Sequence, residues 1–186
     1  MRRDSFVIKK NNVINAALTA LIATAVCIAD QLTKSAAVAG IPLGESVEVI
    51  PGVLNWTYIQ NRGMAMGMLA DHRWVFMVLS VVMIAGIILY VIFAKNARRL
   101  PVCILAAILG GGIGNMIDRF AYGYVVDFID VKLLPFWKWI FNVADMFVTV
   151  GAVLLAVIFL VSELKKRKAE KAEKEGEDTP GTENDV

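Results

Sequence analysis

Four long stretches without a single Asp, Glu, Lys or Arg constrain this chain more than anything else in it. They are Val13 to Ala29, Trp74 to Ala94, Leu100 to Ile117 and Met146 to Ser162. An uncharged apolar run of about 18 residues or more spans the hydrocarbon core as a helix, because backbone polar groups there must be satisfied within the segment. Two runs reach that length. The other two stop one residue short and extend when Asp30 and Asp145 are admitted at their outer ends. Hydrophobic residues make up 58% of the chain, against roughly 45–50% in soluble domains, which argues against a water-soluble bundle. The expected fold class is a membrane all-α protein with four transmembrane helices.

Charge orients the helices. Lys and Arg cluster in the head (Arg2, Arg3, Lys9, Lys10), between the second and third runs (Lys95, Arg98, Arg99), and after the fourth (Lys165, Lys166, Arg167, Lys168). With four spans, these places share one side, and the positive-inside tendency makes that side the cytoplasm. Both chain ends are then cytoplasmic. The segments from about Lys34 to Arg73 and from about Asp118 to Lys138 lie outside. A basic head before an apolar run also suits a signal peptide, and Cys27 suggests a lipobox. However, bulky Val26 precedes that Cys and no small-x-small site is near, so an uncleaved first helix is expected. Cys27 and Cys103 both fall inside apolar runs and form no CxxC pair. They read as inert packing residues.

The pattern changes between the first two runs. Ser46 to Ile59 is rich in Val, Ile, Thr, Trp and Tyr, and Pro51-Gly52 interrupts it. This predicts two short strands at about 44–60, in a small extracytoplasmic β-sheet between helices 1 and 2. Asn61-Arg62-Gly63 then breaks the run, and the apolar stretch starting at Met64 is too short to span. A short extracytoplasmic loop is expected between helices 3 and 4, where Phe136, Trp137 and Trp139 suit the membrane interface. Residues 1–164 form the membrane domain. The tail, 165–186, is dense in Lys and Glu and is expected to begin as a helix and end disordered.

Ionisable and amide groups bordering a span are costly, which makes them functional candidates. Here they are Asp30, Lys34, Asp118, Arg119, Asp127 and Asp145, with Asn61, Asn115 and Asn142. All sit at outer helix ends or in the outer segments, and the cytoplasmic halves of the spans read as clean. Asp30 and Lys34 are an i, i+4 pair where the first helix leaves the membrane. Asn115, Asp118 and Arg119 share one helix face, as do Asn142 and Asp145. Asp118 and Arg119 suit a local charge pair closing the third helix. Asp145 reads as about one turn inside the fourth. The run Gly110-Gly111-Gly112-Ile113-Gly114 suits close helix packing, since no GKS/T follows to make a phosphate loop. His72 is the only histidine, so neither a metal site nor a His-based triad is expected.

Asp127 and Asp145 both lie in apolar contexts, and the loop between them leaves and re-enters one face of the membrane. The two can therefore meet near the outer surface. Carboxylates meeting in a low-dielectric site cannot both ionise cheaply, so one keeps a proton. Such a pair suits a hydrolase in which one member activates water and the other polarises a carbonyl. Proton coupling in a transporter and a structural pair are the alternatives at this level.

Five ordered blocks narrow the choice: Asp30-Gln31-Leu32-Thr33-Lys34, Asn61-Arg62-Gly63-Met64-Ala65, Gly111-Gly112-Ile113-Gly114-Asn115-Met116-Ile117-Asp118-Arg119, Val125-Val126-Asp127-Phe128 and Phe141-Asn142-Val143-Ala144-Asp145. Over about residues 13–162 the chain resembles the lipoprotein signal peptidases of bacteria (signal peptidase II). Met66 departs from the pattern, where Phe is expected. The resemblance implies an aspartyl endopeptidase of the bacterial cytoplasmic membrane that works without a cofactor. Its implied substrates are diacylglyceryl-modified prolipoproteins, cut just before the lipidated Cys. It further implies Asp127 and Asp145 as the catalytic pair. Asn61, Gly63, Asn115, Arg119 and Asn142 would bind substrate or the cyclic-peptide inhibitor globomycin, with Asp30, Lys34 and Asp118 as structural support. Membrane lipid is the other expected partner, nucleic acid is not one, and the protein is expected to be a monomer.

Overall fold

A computed structural model describes residues 2–63, 73–94, 97–133 and 139–177. His72, Met66, Phe136 and Trp137 fall outside these residues, as does the end of the tail. In chain order the elements are α1 (Arg2–Gly40), β1 (Ser46–Ile50), β2 (Leu54–Asn61), α2 (Arg73–Phe93), α3 (Arg99–Ala121), β3 (Val125–Val131), β4 (Ile140–Phe141) and α4 (Val143–Glu177). Among the described residues, three helical stretches are long and apolar enough to cross a membrane: Asn11–Gly40, Arg99–Ala121 and Val143–Ala172. At 1.5 Å per residue even the shortest reaches about 35 Å, beyond a hydrocarbon core of about 30 Å. The second apolar run forms α2, with a shorter apolar helical stretch, Met77–Phe93. The chain divides into two compact units, residues 1–151 and 152–186. In the second, α4 becomes polar and is laced by i, i+4 pairs such as Arg167 with Glu163.

Burial is inverted relative to a soluble bundle. Large apolar side chains stand exposed along α1, α2 and α4 (Leu21, Val82, Phe159), while α3 is the inner helix, with Val102 and Ala106 fully enclosed. The glycine run lets α3 take that place. A Cβ on Gly110 would come 2.5 Å from the Ala23 carbonyl oxygen of α1, and one on Gly111 2.6 Å from that of Ala144 on α4. On Gly112 it would crowd the end of the Met83 side chain of α2 and otherwise reach only ordinary contact with Ile84 (3.8 Å). Backbone cannot yield as a methionine tip can, so the glycines differ. Gly111→Ala should cost about 1–3 kcal/mol of stability, read by thermal unfolding in detergent, whereas Gly112→Ala should be nearly neutral. Equal losses would contradict this packing.

The sheet is larger than the sequence suggested. It has four antiparallel strands in the order β1-β2-β3-β4, and β3 and β4 come from the segment read as a plain loop. Val125–Val131 (Val-Val-Asp-Phe-Ile-Asp-Val) pairs with Leu54–Asn61, so Asp127 sits on a central strand opposite Ile59. Gly52, with φ +68°, makes the β1–β2 turn. Gly123, with φ +79°, ends α3 as a left-handed cap and turns the chain into β3.

Three further readings need correcting. α1 continues to Gly40, so Asp30 and Lys34 are buried within it and do not mark its end. Asp145 lies in the first turn of α4, because the helix starts at Val143. The N-terminal half of α1, expected to be free of polar groups, is not clean either. Asn15 is buried and donates to the Ala97 carbonyl (3.2 Å), and Thr19 bonds back to the Asn15 carbonyl. Asn15 thereby ties α1 to the connection between α2 and α3.

Candidate active site

The two aspartates approach from different elements, and one asparagine binds both. Asn142 is the N-cap of α4. Its Oδ1 accepts the Asp145 backbone N–H (2.9 Å), and the Asp145 carboxylate accepts from the Asn142 backbone N–H in return (3.4 Å). This reciprocal cap satisfies a helix-end donor that would otherwise be orphaned, and it places the Asp145 carboxylate at the positive end of the helix. The Asn142 Nδ2 then donates to Asp127 Oδ1 at 2.6 Å. The other Asp127 oxygen accepts from Asn61 Nδ2 (2.8 Å), whose amide is oriented by the Gly63 backbone N–H on its Oδ1 (3.0 Å).

Asn115 completes the bridge from α3. Its Nδ2 donates to Asp145 Oδ1 (2.7 Å), while its Oδ1 accepts from Asn142 Nδ2 (3.2 Å) and Lys34 Nζ (2.8 Å). Two donors on that oxygen fix which way the amide points. Arg119, one turn further along α3, donates to the Asn115 carbonyl (3.2 Å).

Beneath this layer lies a buried ionic triad. Lys34 contacts Asp30 at 2.8 Å and Asp118 at 3.0 Å, and with Asn115 this uses all three ammonium protons. Each carboxylate also holds backbone. Asp30 accepts the N–H of Ala144, the residue before Asp145, and Asp118 accepts the N–H of Val126, the residue before Asp127. One lysine therefore ties together the two carboxylates that fix the backbone of the aspartate pair. Asp118 pairs with Lys34 across helices, so its part is wider than closing α3 with Arg119. Sequence reasoning assigned nothing to Gln31, yet its amide donates to Asp118 (2.9 Å), the Gly114 carbonyl (3.1 Å) and Asp30 (3.4 Å). No spacing rule signals that contact.

The electrostatics suit proton sharing. Asp127 is buried, and burial pushes its carboxyl up to about 7. The nearby Asp145 charge adds to the rise, while the Asn61 and Asn142 amides and the more distant Lys34 oppose it. Asp145 is only half-buried. A protonated carboxyl and a more accessible one, bridged by amides, can together polarise a carbonyl and take a proton from water.

Comparison with known proteins gives concordant results. The family model described as signal peptidase (SPase) II matches residues 22–161. A lipoprotein signal peptidase of Listeria monocytogenes serotype 4b is 44% identical over 149 residues, covering 79% of this chain and 96% of that protein. One from Bacillus velezensis is 42% identical over 149 residues, covering 80% and 97%. A solved bacterial membrane enzyme superposes with a TM-score of 0.73 at 33% identity, covering 80% of this chain and 90% of that one.

Proposed function

The chain belongs to the signal peptidase II family, and from that premise we propose that it is an intramembrane aspartyl endopeptidase whose catalytic pair is Asp127 and Asp145. Membership makes it a membrane protease that processes lipoprotein signal peptides. The substrate is a prolipoprotein whose Cys carries diacylglycerol, and the bond cut lies just before that Cys. The observation that carries the mechanism is the Asn142 bridge, whose side-chain amide donates to the Asp127 carboxyl and whose backbone N–H donates to that of Asp145.

In this reading Asp127 keeps the proton and donates it toward the scissile carbonyl oxygen. Asp145, more accessible and at the α4 N-terminus, takes a proton from water as the water oxygen attacks the carbonyl carbon. The tetrahedral intermediate collapses when the proton passes from Asp145 to the leaving amine, the C–N bond breaks, and one hydroxyl returns its proton to Asp127 as the carbonyl re-forms. Asn61, Gly63, Asn115, Arg119 and Asn142 surround the pair and supply donors for the substrate backbone. Globomycin would compete for the same groups. Four spans, with both ends in the cytoplasm of a bacterium, put the pair near the outer face of the cytoplasmic membrane. That is the depth at which a diacylglyceryl anchor holds the scissile bond.

The raised Asp127 value sets a pH dependence. Loss of the proton as pH rises through about 7 removes the acid. The kcat/KM for a lipidated precursor should therefore fall on the alkaline side, with an apparent pKa belonging to the pair. The same group makes the fold less stable as pH rises from about 4 to about 7, because there the folded state binds more protons than the unfolded one. The test is a pH profile of cleavage in detergent. A rate that stays level from neutral pH into the alkaline range would exclude Asp127 as the acid.

A further inference from the structure

Gln31 lies one turn before Lys34 on α1, so the two side chains share a face of that helix. Its amide spans a turn of α3. Nε2 donates to the Gly114 carbonyl (3.1 Å) and to Asp118 Oδ1, four residues further on (2.9 Å). The helices come close enough for this because Gly114 has no side chain, and a Cβ there would lie 2.5 Å from Asp30 Oδ2. The amide nitrogen carries two protons, which the two shorter bonds take; its contact with Asp30 is longer (3.4 Å).

The two oxygens of Asp118 are held differently. Oδ2 takes both the Lys34 ammonium (3.0 Å) and the Val126 backbone N–H (3.0 Å), while Oδ1 takes Gln31. A carboxylate held through one oxygen pivots about it, and one held through both cannot turn without breaking a bond. Asp118 is buried, so an oxygen left without a donor is costly and the group turns to find another. Val126 directly precedes Asp127 on β3, so such a turn passes to the strand that carries the proposed acid. We propose that Gln31 is a positioning residue for cleavage. By holding Asp118 Oδ1 it keeps Oδ2 on the Val126 N–H, and so fixes where the Asp127 carboxyl stands against the scissile carbonyl. This rests on the reading of Asp127 as the acid.

Gln31, Lys34 and Asp118 also line a cavity of about 270 Å³ beside Tyr58, Tyr122 and Tyr124, a lining with polar partners enough for water. A shortened side chain would admit a water donor from there, so the test keeps the length and removes the donor. Gln31→Met is compared with wild type as the full chain in detergent, with kcat and KM for a lipidated precursor measured per folded protein. The kcat should fall about ten- to a hundredfold, the scale of a misplaced reacting group, with KM little changed. A role in stability alone would lower the melting temperature and leave kcat per folded molecule intact, and that result would overturn the proposal. So would a loss confined to KM. Gln31→Glu, nearly the same in shape, is the second variant if Gln31→Met fails to fold. While its carboxyl keeps a proton it donates to Asp118 in place of the amide, and once ionised it repels Asp118 and Asp30. Its kcat relative to wild type should be largely restored at the acidic end of the pH profile. A Gln31→Glu protein as impaired there as one lacking the donor would also overturn the proposal. Asp127→Asn is measured alongside. A wild-type rate in that variant removes the aspartate mechanism and this inference with it, whereas its loss beside an unaltered Gln31→Met contradicts this inference alone.

Discussion

Asp127→Asn and Asp145→Asn should each lower the cleavage rate of a diacylglyceryl-modified precursor by at least about a thousandfold, the scale of losing a positioned acid or base. The amide nearly matches the carboxylate in shape, so the fold should persist. What it lacks is specific. Asn at 127 has no proton acidic enough to give to the carbonyl oxygen, and Asn at 145 cannot accept one from water. The double variant should be scarcely worse than either single one, because members of a catalytic unit act together and their losses do not add. Single-turnover cleavage with purified protein measures this, with thermal unfolding as the control for folding. Losses that multiplied in the double variant would mean the two carboxylates act independently.

The second large effect is on stability. Lys34→Met should cost about 3–5 kcal/mol, the range for breaking a buried ion pair by removing one partner. Lys34 is 3% exposed and its two carboxylate partners are as deeply enclosed. Without the ammonium, two buried carboxylates face each other with no cation between them. The backbone they hold, at Ala144 and Val126, loses its anchor as well. Lys34→Met should therefore lower both the melting temperature and the activity. Neutralising the partners in the same chain, with Asp30→Asn and Asp118→Asn, should recover part of the stability, since the unpaired charges are then gone. A Lys34→Met protein as stable as wild type in chemical unfolding would show that the triad contributes nothing net.

Much of this could be read from the chain, and the gaps have physical causes. Apolar runs carry their own length signal, so the helices were legible. In β1 and β2, β-branched and aromatic residues announce strands. β3 was hidden because Asp127 and Asp130 break its apolar pattern, and each is buried with at least one partner remote in sequence. Asp130 is covered by Thr57 and Lys132, and Asp127 by Asn61 and Asn142. β4 has only two residues, too few to show any period. Helical spacing grouped Asp30 with Lys34 and Asn115 with Asp118. It could not show that Lys34 reaches across to Asp118 and Asn115, which depends on how α1 packs on α3. The cap at Asn142 was visible in principle, as an Asn followed three residues later by an Asp before an apolar run. Read as the start of α4, it would have put Asp145 in the first turn.

The central claim is that the Asp127–Asp145 pair hydrolyses the bond before a lipidated Cys. Its most direct test is mass analysis of the products when purified wild type and each Asn variant meet the same precursor, with and without its diacylglyceryl group. The account predicts that wild type releases a mature chain beginning at the modified Cys, from the lipidated precursor only, and that neither variant releases it. Release of that product at the wild-type rate by a folded Asp127→Asn or Asp145→Asn protein would contradict the account.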